Sequence, residues 1–141
     1  MTRHYESEFE GRIVHYAVEY ADIEGEYPVW TPESNESAPI STAEAIRIAR
    51  NAFEENLKPE HGLGLQEIKI VKYPMAEKWY YVVTLIGIES PIEEFTSHDG
   101  KKFPNLTMKL IEVPVYFNGM VPVVNFKPLK IHIQSGDGNS E

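Results

Sequence analysis

Five histidines and two pairs of adjacent carboxylates are the residues of this chain best equipped for chemistry: His4, His15, His61, His98 and His132, with Glu54-Glu55 and Glu93-Glu94. Either group can move a proton in catalysis, but only where a pocket tunes its pKa toward the working pH. Glu93-Glu94 is the better placed pair. It stands in "ESPIEEFTSHDGKKF", beside His98 and Asp99, in a long segment of the kind that carries function on a rigid scaffold. The sequence shows these candidate groups without showing a pocket. Glu54-Glu55 falls on the wet side of a helix, where solvation accounts for it.

Metal and cofactor chemistry find less. No two histidines stand at the close spacing of a metal-ligand pair, and no His-Glu-x-x-His occurs. His15 and His132 fall at strand positions that read as solvated, and the other three fall in loops or the terminus. A phosphate loop needs its glycines between a strand and a helix start. Here Gly62 and Gly64 follow a helix, as a cap and linker. The chain contains no cysteine, which removes thiol catalysis, disulfides and thiolate metal sites. The expectation is no catalytic residue, no metal and no cofactor.

Charge narrows the partners. The 141 residues carry a formal net charge of −9. Such a surface repels nucleic-acid phosphates and anionic lipid, and leaves a protein, basic for preference, as the natural partner. No apolar run approaches the ~18 residues of a membrane span. The polar start, Met1-Thr-Arg-His-Tyr-Glu-Ser-Glu, is no secretory signal, so a cytoplasmic location is expected.

These groups must be positioned by one α+β domain over residues 1–134, with a disordered tail at 135–141. A domain of this length buries roughly 68–70% of its unfolded surface and needs no staple. Residues 1–10 read as charged and frayed. Arg12–Tyr20 alternates as an N-terminal strand, and residues 21–39 as an irregular segment. The main helix runs from Ser41 to about Leu57. Ser41-Thr-Ala-Glu44 forms a capping box, and Ala45, Ile46, Ala49, Ala52, Phe53 and Leu57 make an apolar stripe. Strands follow at 67–73, 77–87, 106–117, 120–126 and 129–133.

Two turn signals set an expected register. Asn118-Gly119 as a two-residue type I′ turn places Phe117 opposite Met120 and Val113 opposite Val124. Pro114 and Pro122 cannot donate to a ladder, so an edge or bulge is expected at Pro114 and fraying at Pro122. Asp99-Gly100, treated in the same way, places Ile86 opposite Val113 and Thr84 opposite Val115. Tyr80, Val82, Thr84 and Ile86 then face the helix. Trp79, Tyr81, Val83 and Leu85 join Leu110 and Tyr116 on the second face, and a single bulge exchanges the two sets.

The order of "ISTAEAIRIARNAF", "KWYYVVTLIG" and "VPVYFNGMVPVV" resembles the helix-then-meander pattern of cystatin-like folds, in particular PepSY-type domains and nuclear transport factor 2-like immunity proteins. The resemblance covers about residues 40–126. It implies one main helix packed on a curved antiparallel sheet, and a binding or inhibitory module that is not a catalyst. It carries no catalytic residue to this chain. Trp79, Tyr81, Leu85, Leu110 and Tyr116 are accordingly the expected binding residues, offered to a protein partner or, in a homodimer, to a second copy. The alternative is a small-ligand-binding protein or small enzyme with a pocket between helix and sheet. Residues 12–30 could instead cover the second face from within.

Overall fold

The computed structural model describes residues 2–59, 61–89, 94–104 and 107–128, with the backbone alone at 94, 95, 103 and 104. The 129–133 strand, the tail, His132, Glu93 and the Glu94 side chain lie outside the described residues. The elements in order are β1 (Thr2–Phe9), β2 (Arg12–Glu19), α1 (Tyr20–Ile23), α2 (Thr42–Leu57), β3 (Gly64–Lys72), β4 (Trp79–Glu89), β5 (Glu94–Thr96), β6 (Lys102–Pro104), β7 (Thr107–Tyr116) and β8 (Val124–Pro128). The α+β class holds. The sheet is divided in two: β1-β2-β8 and β3-β4-β7, each antiparallel and three-stranded, with β5-β6 as a separate small hairpin. Among the described residues no helix is long and apolar enough to cross a membrane.

The main helix forms where its stripe and cap require. Ala45, Ala49, Phe53 and Leu57 recur every four residues and are buried. The Ser41 hydroxyl accepts the Glu44 N–H at 3.0 Å. The capping box is only half made, because the Glu44 carboxylate turns to Arg47 instead. The helix ends at Lys58, in the left-handed region at φ 47°, just before Pro59.

Thr2–Phe9 form a strand, which corrects the frayed terminus over those residues. Tyr5 and Phe9 are buried while His4, Glu6 and Glu8 are exposed, so the segment alternates with period two. Glu10 and Gly11 both have positive φ, 51° and 75°. They join β1 to β2 by a two-residue turn that sets Phe9 opposite Arg12.

The two expected type I′ turns take another form. Of Asn118 and Gly119 only the glycine has positive φ, 87°, and of Asp99 and Gly100 only the glycine, 85°. Tyr116 N–H bonds to the Met120 carbonyl, and Ser97 N–H to the Lys101 carbonyl, each enclosing three residues rather than two. The observed β4–β7 register pairs Ile86 with Leu110, Thr84 with Glu112 and Val83 with Val113. The slip from the expected register is odd, so it exchanges the faces. Past Pro122 the chain leaves this sheet, and β8 pairs with β2 instead of β7. The extended Asn118-Gly119 hairpin therefore does not form.

The exchange decides what covers β4. Tyr81 donates to the Ile40 carbonyl, at the entrance of α2, at 2.8 Å. Six residues along the same face of β4, Gly87 lies under the Phe9 ring, which meets Phe53 of α2 edge-on at 5.6 Å. Tyr81, Val83, Leu85 and Gly87 thus face the helix, together with Ile111, Val113 and Val115. A Cβ at position 87 would stand 2.6 Å from Phe9 Cε1 and 3.2 Å from Ile111 Cδ1. Gly87→Ala is expected to lower the unfolding free energy by about 1–3 kcal/mol, measured in urea, because the ring is held by Phe53 and cannot step aside. A loss below the error of the measurement would show that Phe9 is free to move.

Candidate functional site

The far face of β4 carries Tyr80, Val82, Thr84 and Ile86. Its Tyr80 end is closed from within. The hydroxyls of Tyr80 and Tyr5 lie 2.6 Å apart. Tyr116, paired with Tyr80, donates to Asp22 at 2.7 Å. Tyr27 packs edge-on against Tyr116, donates to the Trp79 carbonyl at 2.6 Å and accepts the Phe117 N–H at 2.7 Å. One phenol thereby satisfies two backbone groups from β4 and the β7 turn. Burial raises the pKa of Tyr16, Tyr27, Tyr80 and Tyr116. The hydrogen bond shared with Tyr5 and the one donated to Asp22 add to the rise at Tyr80 and Tyr116 respectively.

The cover stops at Thr84. Beyond it the face opens, and the reason lies at the edge of β7. The Glu112 N–H points away from β4, to the Ser7 hydroxyl of β1 at 3.2 Å. Pro114, two residues on, has the same orientation and no N–H to give. β1 runs beside β7, yet among the described residues no backbone hydrogen bond joins them. The edge expected at Pro114 is this seam.

Over the seam lie two adjoining hollows of about 370 and 360 Å³, which share Glu6, Ser7 and Leu110. The first adds Glu8, Ile13 and Lys109. The second adds Gln66, Glu67, Lys69, Thr84 and Glu112. Together they make one open trough across β3, β4, β7 and β1. Glu6, Glu8, Glu67 and Glu112 outnumber Lys69 and Lys109, and Lys109 is already committed to Glu8 at 3.9 Å. Leu110 is 53% exposed among them, and Met108 of the same strand 64%. The trough therefore offers acidic groups and an apolar foothold, and it reaches β3, whose outer edge pairs with no strand among the described residues.

The structure separates the five expected binding residues. Tyr81 and Leu85 are fully buried on the α2 side. Trp79 is half-buried, and its indole N–H has no partner among the described residues. Tyr116 is buried under the N-terminal segment, and only Leu110 lies in the trough. The joint face on which sequence reasoning placed them does not exist, because the β4–β7 register is slipped by three residues from the expected one, an odd number that exchanges the faces. The space between α2 and the sheet is filled by Tyr81, Val83, Leu85, Ile111, Val113 and Val115, all at most 1% exposed. Sequence reasoning missed Glu6, Ser7 and Glu8 altogether. The alternation of Tyr5, Ser7 and Phe9, followed by Glu10-Gly11, was the signal that could have found them.

The loop candidates resolve locally. Asp99 accepts from the Ser97 hydroxyl and the Lys101 N–H within its own turn, which lowers its pKa. It shapes the β5–β6 turn. No family model, curated protein or solved structure matches this chain.

Proposed function

We propose that this chain is a non-catalytic binding module that holds an extended, basic segment of a protein partner in the trough over the β1–β7 seam. The observation that supports it is the lining: four carboxylates against two lysines, around a half-exposed leucine. A basic segment supplies the missing charge, and its backbone finds the outer edge of β3 to pair with. This departs from an aromatic recognition face, since the aromatics are spent on the core. It keeps the binding role that the cystatin-like resemblance implies.

The test uses the full chain and fluorescent twelve-residue peptides of graded charge. Basic peptides are expected to bind more tightly than acidic ones, and more weakly as salt rises. Glu67→Lys with Glu112→Lys is expected to weaken binding by about tenfold or more, equivalent to about 1.4 kcal/mol. Leu110→Ser, which removes the apolar foothold without changing the charge, is expected to weaken binding as well. Equal binding of acidic and basic peptides, or no change in these variants, sinks the proposal. A stable dimer in light scattering, with the trough protected from hydrogen exchange, would replace the peptide by a second copy.

A further inference from the structure

On the wet face of β1-β2-β8, beside Glu6 of the trough, His4 and His15 stand together. Eleven residues apart in sequence, they are brought side by side by the Glu10-Gly11 hairpin. His4 Nδ1 and His15 Nε2 are 2.8 Å apart, with the ring planes 17° from parallel and the centroids 5.0 Å apart. Glu6 lies directly opposite His15 in the register and on the same face. His4 and Glu6 are exposed and His15 is half-buried, so the rings have room to turn.

We propose that His4 and His15 form a binding site for a divalent transition metal of tetragonal preference, copper(II) first. Imidazole nitrogens suit copper(II), which stands highest among the divalent first-row ions in affinity for such ligands. The observed 2.8 Å is the N–H···N hydrogen bond the rings now share, which places two imidazole nitrogens within reach of one ion. The ion takes the place of the proton the rings now share, and each ring rotates about its soft χ2 until the two lone pairs converge. Both rings bind as neutral imidazoles, so the shared proton rearranges to the outer nitrogens and none need be lost. Among the described residues no third His, Asp or Glu completes a ready-made cluster. Water holds the remaining positions, or Glu6 does after a rotamer change.

Titration of the full chain with copper(II) sulfate, followed by calorimetry and electron paramagnetic resonance, tests the site. The expected result is one copper per chain with two nitrogen ligands, bound at least about tenfold more tightly than zinc. His4→Ala and His15→Ala should each weaken copper by about tenfold or more with the far-ultraviolet circular dichroism unchanged, and His61→Ala, in the loop after α2, should not. In the unmutated chain copper should broaden the amide resonances of residues 3–5 and 14–16 first, a readout that does not depend on any variant folding. Copper binding unchanged in either strand variant, broadening centred elsewhere, or a single nitrogen ligand overturns the proposal.

Discussion

Raising the pH from 10 to about 12 will unfold this protein, and its buried tyrosines will ionise in step with the loss of structure. Tyr16, Tyr27, Tyr80 and Tyr116 are each at most 5% exposed, and a phenolate there loses its hydration. Tyr27 is pushed up to about 12, chiefly by burial, with the Phe117 N–H pulling slightly the other way. The pKa values of the other three are also raised, first by burial. The folded-state values stand above the unfolded value of about 10. This contribution to stability is therefore complete below pH 10 and is lost as pH rises through the folded values. Each tyrosine still neutral in the fold but ionised in the unfolded chain costs about 1.4 kcal/mol per pH unit. Four of them exhaust a native stability of roughly 5–15 kcal/mol within one to three units. Tyrosinate absorbance and far-ultraviolet circular dichroism should move together. Four phenols titrating near pH 10 in an intact fold would show that the N-terminal cover is not closed.

Phe53→Ala should lower the unfolding free energy by about 3–5 kcal/mol. On α2 the buried positions are Ala45, Ala49, Phe53 and Leu57, and Phe53 is the largest of these side chains. Its ring meets Phe9 of β1 edge-on, and Phe9 in turn lies on Gly87 of β4. The residue thus ties the helix to both sheets. The two alanines beside it cannot move in to fill the hole. For a chain of this length the melting temperature should fall by roughly 10–15 °C. Phe53→Leu, which keeps most of the volume, should cost clearly less. Hydrogen exchange in β1 should quicken more than in β3, which lies farther from the Phe9 contact. A loss under about 1 kcal/mol in urea would place Phe53 outside the core.

The two measurements address different halves of the molecule. The tyrosines report the cover that residues 5–27 place on β4. Phe53 reports the helix on the opposite side.

Much of the architecture could be read directly from the chain. The α2 stripe and the Ser41 cap are local, period-3.6 features, and local features survive folding intact. The strands at 12–19 and 79–89 follow from alternation and β-branched and aromatic content. Pro114 announced an interrupted ladder, because a missing N–H is missing in any tertiary context. The glycine turns at Asn118-Gly119 and Asp99-Gly100 could be located as well, but their loop lengths could not. Asn-Gly and Asp-Gly fit both a two-residue type I′ turn and a three-residue turn with one left-handed glycine, and the energy difference lies in the strands they join. The β4–β7 register stands three residues from the one a two-residue turn predicts, and because three is odd it decided which set of β4 side chains met the helix.

What the sequence determined by itself, then, was the inventory: one capped helix, a set of strands, no thiol chemistry, an acidic surface, and a proline that breaks an edge. Only the tertiary structure decided the register, the splitting of the strands into two sheets, the closing of the Tyr80 end by the N-terminal segment, and the meeting of His4 with His15. Each of these depends on pairings between residues far apart in the chain. A strand's own pattern is unchanged by which neighbour it meets, so the pattern alone cannot name that neighbour.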